Sequence, residues 1–190
     1  MNDIKKVINL LSSGGLAILP TDTAVGICCR IDSEASVEYI YDLRGRSKDK
    51  PLLVLASSIE MAEKYVVFDE KTMEFAKSNW PGGITVILPC KENMVPSVVR
   101  AGGKNLGVRV PANGPLRRII EEVGVPLVAP SANKAGERTP YSIDEVDKHL
   151  ISDIKIVLEG ECTYKKESTI VDTTVNPWKI IRAGAVEVKI

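Results

Sequence analysis

The run Leu16-Ala17-Ile18-Leu19-Pro20-Thr21-Asp22-Thr23-Ala24-Val25-Gly26-Ile27-Cys28-Cys29 decides the fold class. Residues 16–19 and 24–29 are apolar segments of strand length, and between them lie a proline and three small polar residues, the composition of a loop. Upstream, Ile4, Val7, Ile8 and Leu11 recur at helical spacing, with Asn2 or Asp3 as the cap and Gly14 and Gly15 as the stop. Downstream, Ser33 followed by Ala35, Val37, Ile40, Tyr41 and Leu43 predicts a second capped helix, and residues 51–55 read as a buried strand. Helical patterns then cover 58–66 and 70–79, ending at Trp80-Pro81-Gly82-Gly83 before a strand over 84–88. Strands over 106–110 and 127–129 flank a helix near 115–122, and another helix is expected over 142–149. The tail changes to short β-type runs at 155–158, 169–171, 179–181 and 186–190. Helices alternating with strands and followed by a strand-rich end predict an α/β fold: a single domain over residues 1–190, with one twisted mixed sheet flanked by helices. No low-complexity linker or repeat divides it.

Composition narrows the function. With 44% hydrophobic residues the chain can build a sizeable core, and 25 basic residues against 25 acidic ones remove the whole-chain field of a dedicated nucleic-acid binder. Local basic patches remain open. Apolar runs stop well short of the roughly 20 residues of a membrane helix, so no membrane partner is expected. The first 15 residues mix charged and apolar residues unlike a secretion signal, which makes a cytoplasmic location the expectation. Cys28, Cys29, Cys90 and Cys162 form no CxxC pair and have no adjacent histidine, so they read as reduced core thiols and no protein-held metal site is expected. Cys28 and Cys29, being neighbours on a strand, point to opposite faces. His149 is the only histidine and falls in a polar helix, which argues against Ser-His-Asp or Cys-His chemistry. Walker, dinucleotide-binding and nucleophile-elbow motifs are also lacking.

Several stretches could carry chemistry. The loop Arg44-Gly45-Arg46-Ser47-Lys48-Asp49-Lys50-Pro51 sets four basic side chains and one acid before a strand; it is either a solvated loop or an anion site. Thr21, Asp22 and Thr23 either close an ordinary turn or present hydroxyls to a small polar ligand. Arg109 lies inside an apolar strand, where a buried guanidinium needs an anion: a structural carboxylate, or a bound carboxylate or phosphate. Ser131, Asn133 and Thr139 follow a strand end, where α/β sheets place ligands. Glu167-Ser168-Thr169-Ile170-Val171-Asp172 and Arg182-Ala183-Gly184 add a hydroxyl and another cation.

Taken in order, Pro20-Thr21-Asp22-Thr23 with Gly26, Arg44-Gly45-Arg46 with Lys50-Pro51, Trp80-Pro81-Gly82-Gly83-Ile84-Thr85, Gly107-Val108-Arg109-Val110-Pro111, Ala129-Pro130-Ser131-Ala132-Asn133 with Thr139-Pro140, Ser168 to Asp172 and Arg182-Ala183-Gly184 resemble the YrdC-like family of threonylcarbamoyl-AMP synthases in its short, single-domain form. The resemblance implies an α/β fold with a deep concave cavity. It also implies an enzyme, a nucleotidyltransferase that forms threonylcarbamoyl-AMP and pyrophosphate from L-threonine, bicarbonate and ATP, for threonylcarbamoyladenosine modification of tRNA beside the anticodon. By the same resemblance Thr23, Arg109, the Ala129 backbone and Ser168 contact L-threonine, while Arg46, Lys50, Asn105, Ser131, Thr139 and Arg182 contact ATP, with Asn133 supporting their loop. Arg46 and Lys50 are the residues assigned to catalysis, and Mg2+ is expected with ATP. Implied partners are these substrates and the tRNA threonylcarbamoyl-transfer machinery, with direct RNA contact left open. A noncatalytic RNA- or ribosome-binding module, and a domain using carbamoyl phosphate, are the alternatives. The chain departs from the family's common pattern at Ala24 and Val25, where valine and tyrosine are usual, and at Arg44, Gly83 and Ala183, where lysine, proline and proline are usual.

Overall fold

The computed structural model describes residues 2–154 and 156–190. In chain order the elements are α1 Asn2–Ser12, β1 Ala17–Pro20, β2 Val25–Arg30, α2 Glu34–Arg44, β3 Val54–Leu55, α3 Ile59–Glu63, α4 Glu70–Asn79, β4 Ile84–Pro89, β5 Asn105–Arg109, α5 Gly114–Val123, β6 Leu127–Val128, a 3-10 turn Ile143–Glu145, α6 Lys148–Asp153, β7 Ile156–Val157, β8 Thr169–Asp172 and β9 Lys179–Arg182. Among the described residues they build one nine-stranded sheet, ordered β7-β1-β2-β6-β3-β5-β4-β8-β9. The pairs β1/β7, β3/β5 and β4/β8 are parallel and the others antiparallel, the mixed sheet expected of this chain.

Period-two alternation sorts the strand residues onto two faces. Ile18 of β1 and Val25, Ile27 and Cys29 of β2 pack with Val37, Ile40 and Tyr41 of α2 on one face. Ala17, Leu19 and Cys28 face the other way, against Val7 and Leu11 of α1 and Leu116, Ile119, Ile120 and Val123 of α5. Each such aliphatic side chain contributes about 1.5–3 kcal/mol through its burial. The neighbouring cysteines thus lie on opposite faces, free and buried, and burial pushes the Cys28 thiol up to about 12 and Cys29 up as well. Both stay protonated at neutral pH.

The same alternation opens the site. On β5, Leu106 and Val108 enter the core, as do Ile84, Val86 and Leu88 on β4 and Val171 on β8. The alternate residues Asn105, Gly107, Arg109, Thr85, Ile87 and Ile170 instead line a cavity of about 470 Å³.

Local chemistry shifts several boundaries. Helix α1 begins at Asn2, so Asp3 stands in its first turn, where a negative charge suits the helix's positive end. Ser33 precedes α2 without a side-chain capping bond; its hydroxyl donates to Ser36 instead. Helix α3 is five residues long, capped by Ser58, and the pattern over 58–66 ends in a turn at Lys64 and Tyr65. Only Val54–Leu55 of 51–55 pairs as a strand. The helix expected over 142–149 is divided because Val146 is extended and the Asp147 side chain accepts from the His149 N–H, capping α6. Lys155, the first residue of the strand expected over 155–158, lies outside the described residues. The strand expected over 186–190 does not form. The chain just before it is held instead against the stretch leading into β8: the Gly184 and Val186 N–H groups donate to Thr169 Oγ1 and the Ala185 N–H donates to the Glu167 carbonyl. A Cβ on Gly184 would stand 2.3 Å from that carbonyl oxygen and 2.4 Å from the Ser168 carbonyl carbon. Gly184→Ala is therefore expected to lower stability by about 1–3 kcal/mol; urea unfolding with an unchanged midpoint would contradict this close packing.

Candidate functional site

The cavity is walled by the ends of strands and the loops that continue them. Thr21 organises the loop between β1 and β2: its Oγ1 donates to the Ala24 carbonyl at 2.8 Å and accepts the Thr23 and Ala24 N–H groups at 3.0 and 3.1 Å. This fixes Thr23, whose hydroxyl lies 3.0 Å from that of Thr21. Asp22 is not the self-capping turn residue of the ordinary reading. Its Oδ1 accepts from Arg109 Nη1 at 2.6 Å and its Oδ2 accepts the Ala112 N–H at 2.9 Å. The pair is almost fully buried, with side-chain exposures of 3% for Arg109 and 1% for Asp22. The structural carboxylate that the Arg109 position demanded is therefore Asp22. Arg109 still lines the cavity, Nη2 also donates to Thr21 Oγ1 at 3.3 Å, and Nε has no partner. Burial pulls the Arg109 pKa down and the Asp22 carboxylate opposes that pull.

The loop after α2 supplies the freer cations. Gly45 ends the helix in the left-handed conformation, φ 55°, which glycine adopts without steric cost. Arg46 then turns back on its own loop, its Nη2 donating to the Pro51 carbonyl at 3.0 Å and its Nε to that of Lys50 at 3.4 Å. Among the described residues neither Arg46 nor Lys50 pairs with a carboxylate. Arg44, two residues earlier at the end of α2, is buried in the wall, with Nε donating to the Asn133 carbonyl at 2.8 Å and Nη2 to Ser131 Oγ at 3.2 Å. Burial, followed by the neighbouring Arg46 charge, lowers its pKa to about 10, so it remains charged at neutral pH.

Opposite, β8 and β9 bring Ser168 and Arg182 together. Arg182 donates from Nε to the Ser168 carbonyl at 2.9 Å, from Nη2 to Ser168 Oγ at 3.1 Å and from Nη1 to Glu167 Oε1 at 3.0 Å. Thr85 Oγ1 lies 2.8 Å from Ser168 Oγ. Loop 130–133 runs beside β2, with the Ile27 N–H donating to the Pro130 carbonyl and Ser131 bridging Gly26. A Cβ on Gly26 would stand 3.3 Å from that carbonyl, so the loop lies close because the strand carries glycine.

Of the residues singled out from the sequence, Thr23, Arg46, Lys50, Asn105, Arg109, Ala129, Ser131, Ser168 and Arg182 all line this one cavity. Ala129 gives its N–H to the Leu53 carbonyl, so its own carbonyl is the backbone group it can offer. Asn133 and Thr139 are not among the lining residues. The Asn133 Nδ2 donates to the Lys134 and Glu137 carbonyls and so buttresses the loop, while the Thr139 hydroxyl donates to Glu167 Oε1 at 3.2 Å. Arg44, one of the four basic side chains of the loop weighed as an anion site, and Thr85 and Glu167, of which no ligand contact was expected, line the cavity as well. All three stand in stretches already singled out, but nothing in the sequence marks Glu167, among 25 acids, as the one that faces a ligand. The valine-tyrosine pair usual in the family is replaced by Ala24 and Val25, and no aromatic residue is among those lining the cavity. Its apolar walls are aliphatic, including Leu52, Leu53, Ile87 and Ile170. Five cationic side chains and one carboxylate thus face a space of nucleotide size, a constellation suited to gathering anions. Among the described residues no three metal-ligating side chains come together, and no helix is long and apolar enough to cross a membrane.

Comparison with known proteins agrees with this geometry. The family model Sua5/YciO/YrdC, described as telomere recombination, matches residues 9–184. A threonylcarbamoyl-AMP synthase of Pyrococcus abyssi is 32% identical over 95% of this chain and 54% of its own length, and that of Aliivibrio fischeri is 29% identical over 89% and 92%. The chain spans about half the length of the Pyrococcus relative and of a Bacillus subtilis one. In three dimensions it is similar to the crystal structure of P. abyssi Sua5 complexed with L-threonine, with a TM-score of 0.91 at 32% identity over 95% of this chain and 54% of that one. Escherichia coli YciO shares the fold, with a TM-score of 0.85 at 23% identity over 98% and 91%. Sequence pattern and backbone agree across almost all of the chain, and the protein belongs to the Sua5/YciO/YrdC family.

Proposed function

We propose that this protein makes threonylcarbamoyl-AMP and pyrophosphate from L-threonine, bicarbonate and ATP. The observation that carries the reading is the cationic cavity itself: Arg44, Arg46, Lys50, Arg109 and Arg182 converge on it in a chain of zero net charge. The chemistry needs that field. The amine of threonine attacks the carbon of bicarbonate or of the CO2 formed from it, losing a proton and giving a carbamate with release of water. A carbamate oxygen then attacks the α-phosphorus of ATP, and the bond to the β-phosphate oxygen breaks to release pyrophosphate. Bicarbonate, the carbamate, ATP and the carboxylate of threonine all carry negative charge, so the protein's contribution is positioning and fixed positive charge at developing negative charge.

In this reading Thr23, Arg109, the Ala129 carbonyl and Ser168 receive threonine, and Arg109 offers its unpartnered Nε to the carboxylate. Arg46, Lys50 and Arg182, with Asn105 and Ser131, receive the nucleotide. The adenine would lie on aliphatic walls. Thr139 and Asn133 would act by holding Glu167 and the 130–137 loop in place. Mg2+ would enter on the phosphates. Such an ion keeps several waters and takes one or two carboxylates, and Glu167 is the carboxylate that this cavity presents. The adenylate would pass to a transferase that modifies tRNA beside the anticodon, in the cytoplasm.

The test is pyrophosphate release by the purified chain with ATP, Mg2+ and bicarbonate, with and without L-threonine, read beside mass detection of the product. Threonine-dependent release with a threonylcarbamoyl-AMP peak is expected. No turnover by a folded protein would defeat the reading and favour a noncatalytic module, whose RNA binding would weaken steeply with salt. Arg46→Ala should reduce turnover about 10²-fold, the usual loss on removing one preorganised stabilising donor, while leaving the thermal midpoint near the parent's. Asp22→Asn removes the charge that holds Arg109 and should lower stability by about 3 kcal/mol with weaker threonine binding; chemical denaturation and calorimetry measure the two effects separately.

A further inference from the structure

Ser168 leads into β8, and Arg182 ends β9 opposite Ile170 in the antiparallel register. From there Arg182 reaches back over the Glu167–Ser168 dipeptide and engages it through all three guanidinium nitrogens. Ser168 Oγ is buried with the residue 4% exposed and lies between Arg182 Nη2 at 3.1 Å and Thr85 Oγ1 at 2.8 Å. Both Ser168 and Arg182 line the cavity. A hydroxyl has one proton and two lone pairs. One lone pair takes the Arg182 bond, and with Thr85 as the donor the second is taken too, which leaves only the proton for a ligand.

We infer that nucleotide and amino acid bind cooperatively, because the Arg182–Ser168 hydrogen bond ties a phosphate-seeking cation to the hydroxyl that receives the amino acid. The inference rests on the substrate reading above. A phosphate oxygen carries negative charge and competes for the Arg182 guanidinium more strongly than a neutral hydroxyl does. Nucleotide phosphate therefore draws Nη2 away from Ser168. The hydroxyl regains a lone pair toward the cavity, while Thr85 still orients it, and it can then accept from the ammonium or hydroxyl of threonine. Linkage requires the reverse effect to be equal: threonine on Ser168 leaves Nη2 to the phosphate. Glu167 keeps Arg182 near this position through Nη1, so the exchange moves one hydrogen bond and leaves the strands where they are.

Calorimetry on the intact chain tests this, with L-threonine and Mg2+–α,β-methylene-ATP titrated singly and each in the presence of the other. In the parent protein each ligand should tighten the other about fivefold or more, by the same factor in both directions. Ser168→Ala should weaken threonine binding and Arg182→Lys nucleotide binding, and each should bring that factor to about 1. Lysine keeps the charge but has no second nitrogen to reach Ser168, so Arg182→Lys carries the test if Ser168→Ala fails to fold. Independent binding in the parent, or full coupling retained in Arg182→Lys, overturns the inference and leaves the substrate reading standing. A folded parent that binds neither ligand overturns both.

Discussion

The buried pair of Arg109 and Asp22 is the interaction on which the rest of the site depends. A guanidinium 3% exposed at the end of β5 would be strongly destabilising if left unpaired. Asp22 answers it from the loop between β1 and β2, strands separated from β5 by β6 and β3 in the sheet. The same residue accepts the Ala112 N–H ahead of α5, and its carbonyl accepts the Tyr164 N–H in the segment before β8. One acidic side chain and its backbone thereby join the loop after β1, the end of β5, the start of α5 and the approach to β8. The pair sets where the floor of the cavity lies.

Around that floor the charge is strongly one-sided, although the chain as a whole is neutral. Cations that crowd one wall repel one another, and the lowered pKa of Arg44 records both its burial and the nearby Arg46. Glu167 offsets part of this, pairing with Arg182 at 3.0 Å and lying close enough to Arg44 to favour its charged form. The cavity is thus held together by neutral acceptors: carbonyls of Lys50, Pro51, Asn133 and Ser168 each receive an arginine N–H. Such acceptors orient a guanidinium without cancelling it, which keeps the field available to an anionic ligand.

Much of this was readable from residue order. The alternation Leu106, Val108, Val110 against Gly107 and Arg109 places the arginine on the face away from the core whatever the neighbours are. The glycines at 26, 45 and 184 mark a close approach, a helix stop and a tight packing against Ser168. What failed did so where distant partners compete for the backbone. Residues 186–190 have β-type composition, yet the hydroxyl of Thr169 and the Glu167 carbonyl take the nearby N–H groups. Thr139 and Asn133 are a separate matter: their side chains bond to Glu167 and to the carbonyls of Lys134 and Glu137, and neither is among the residues lining the cavity.

The sequence alone determined the α/β class, the two-faced strands, the hydrophilic residues at strand ends and the family pattern, because these follow from periodicity, local turn chemistry and the order of the motifs. Tertiary structure decided which carboxylate neutralises Arg109, that Glu167 is the acid of the cavity, and that Thr85, Ser168 and Arg182 form one bonded group. These are contacts between residues separated by 83 positions for Thr85 and Ser168 and by 87 for Asp22 and Arg109. With 25 acids available, only the folding of the sheet selects the partner that stands within 3 Å.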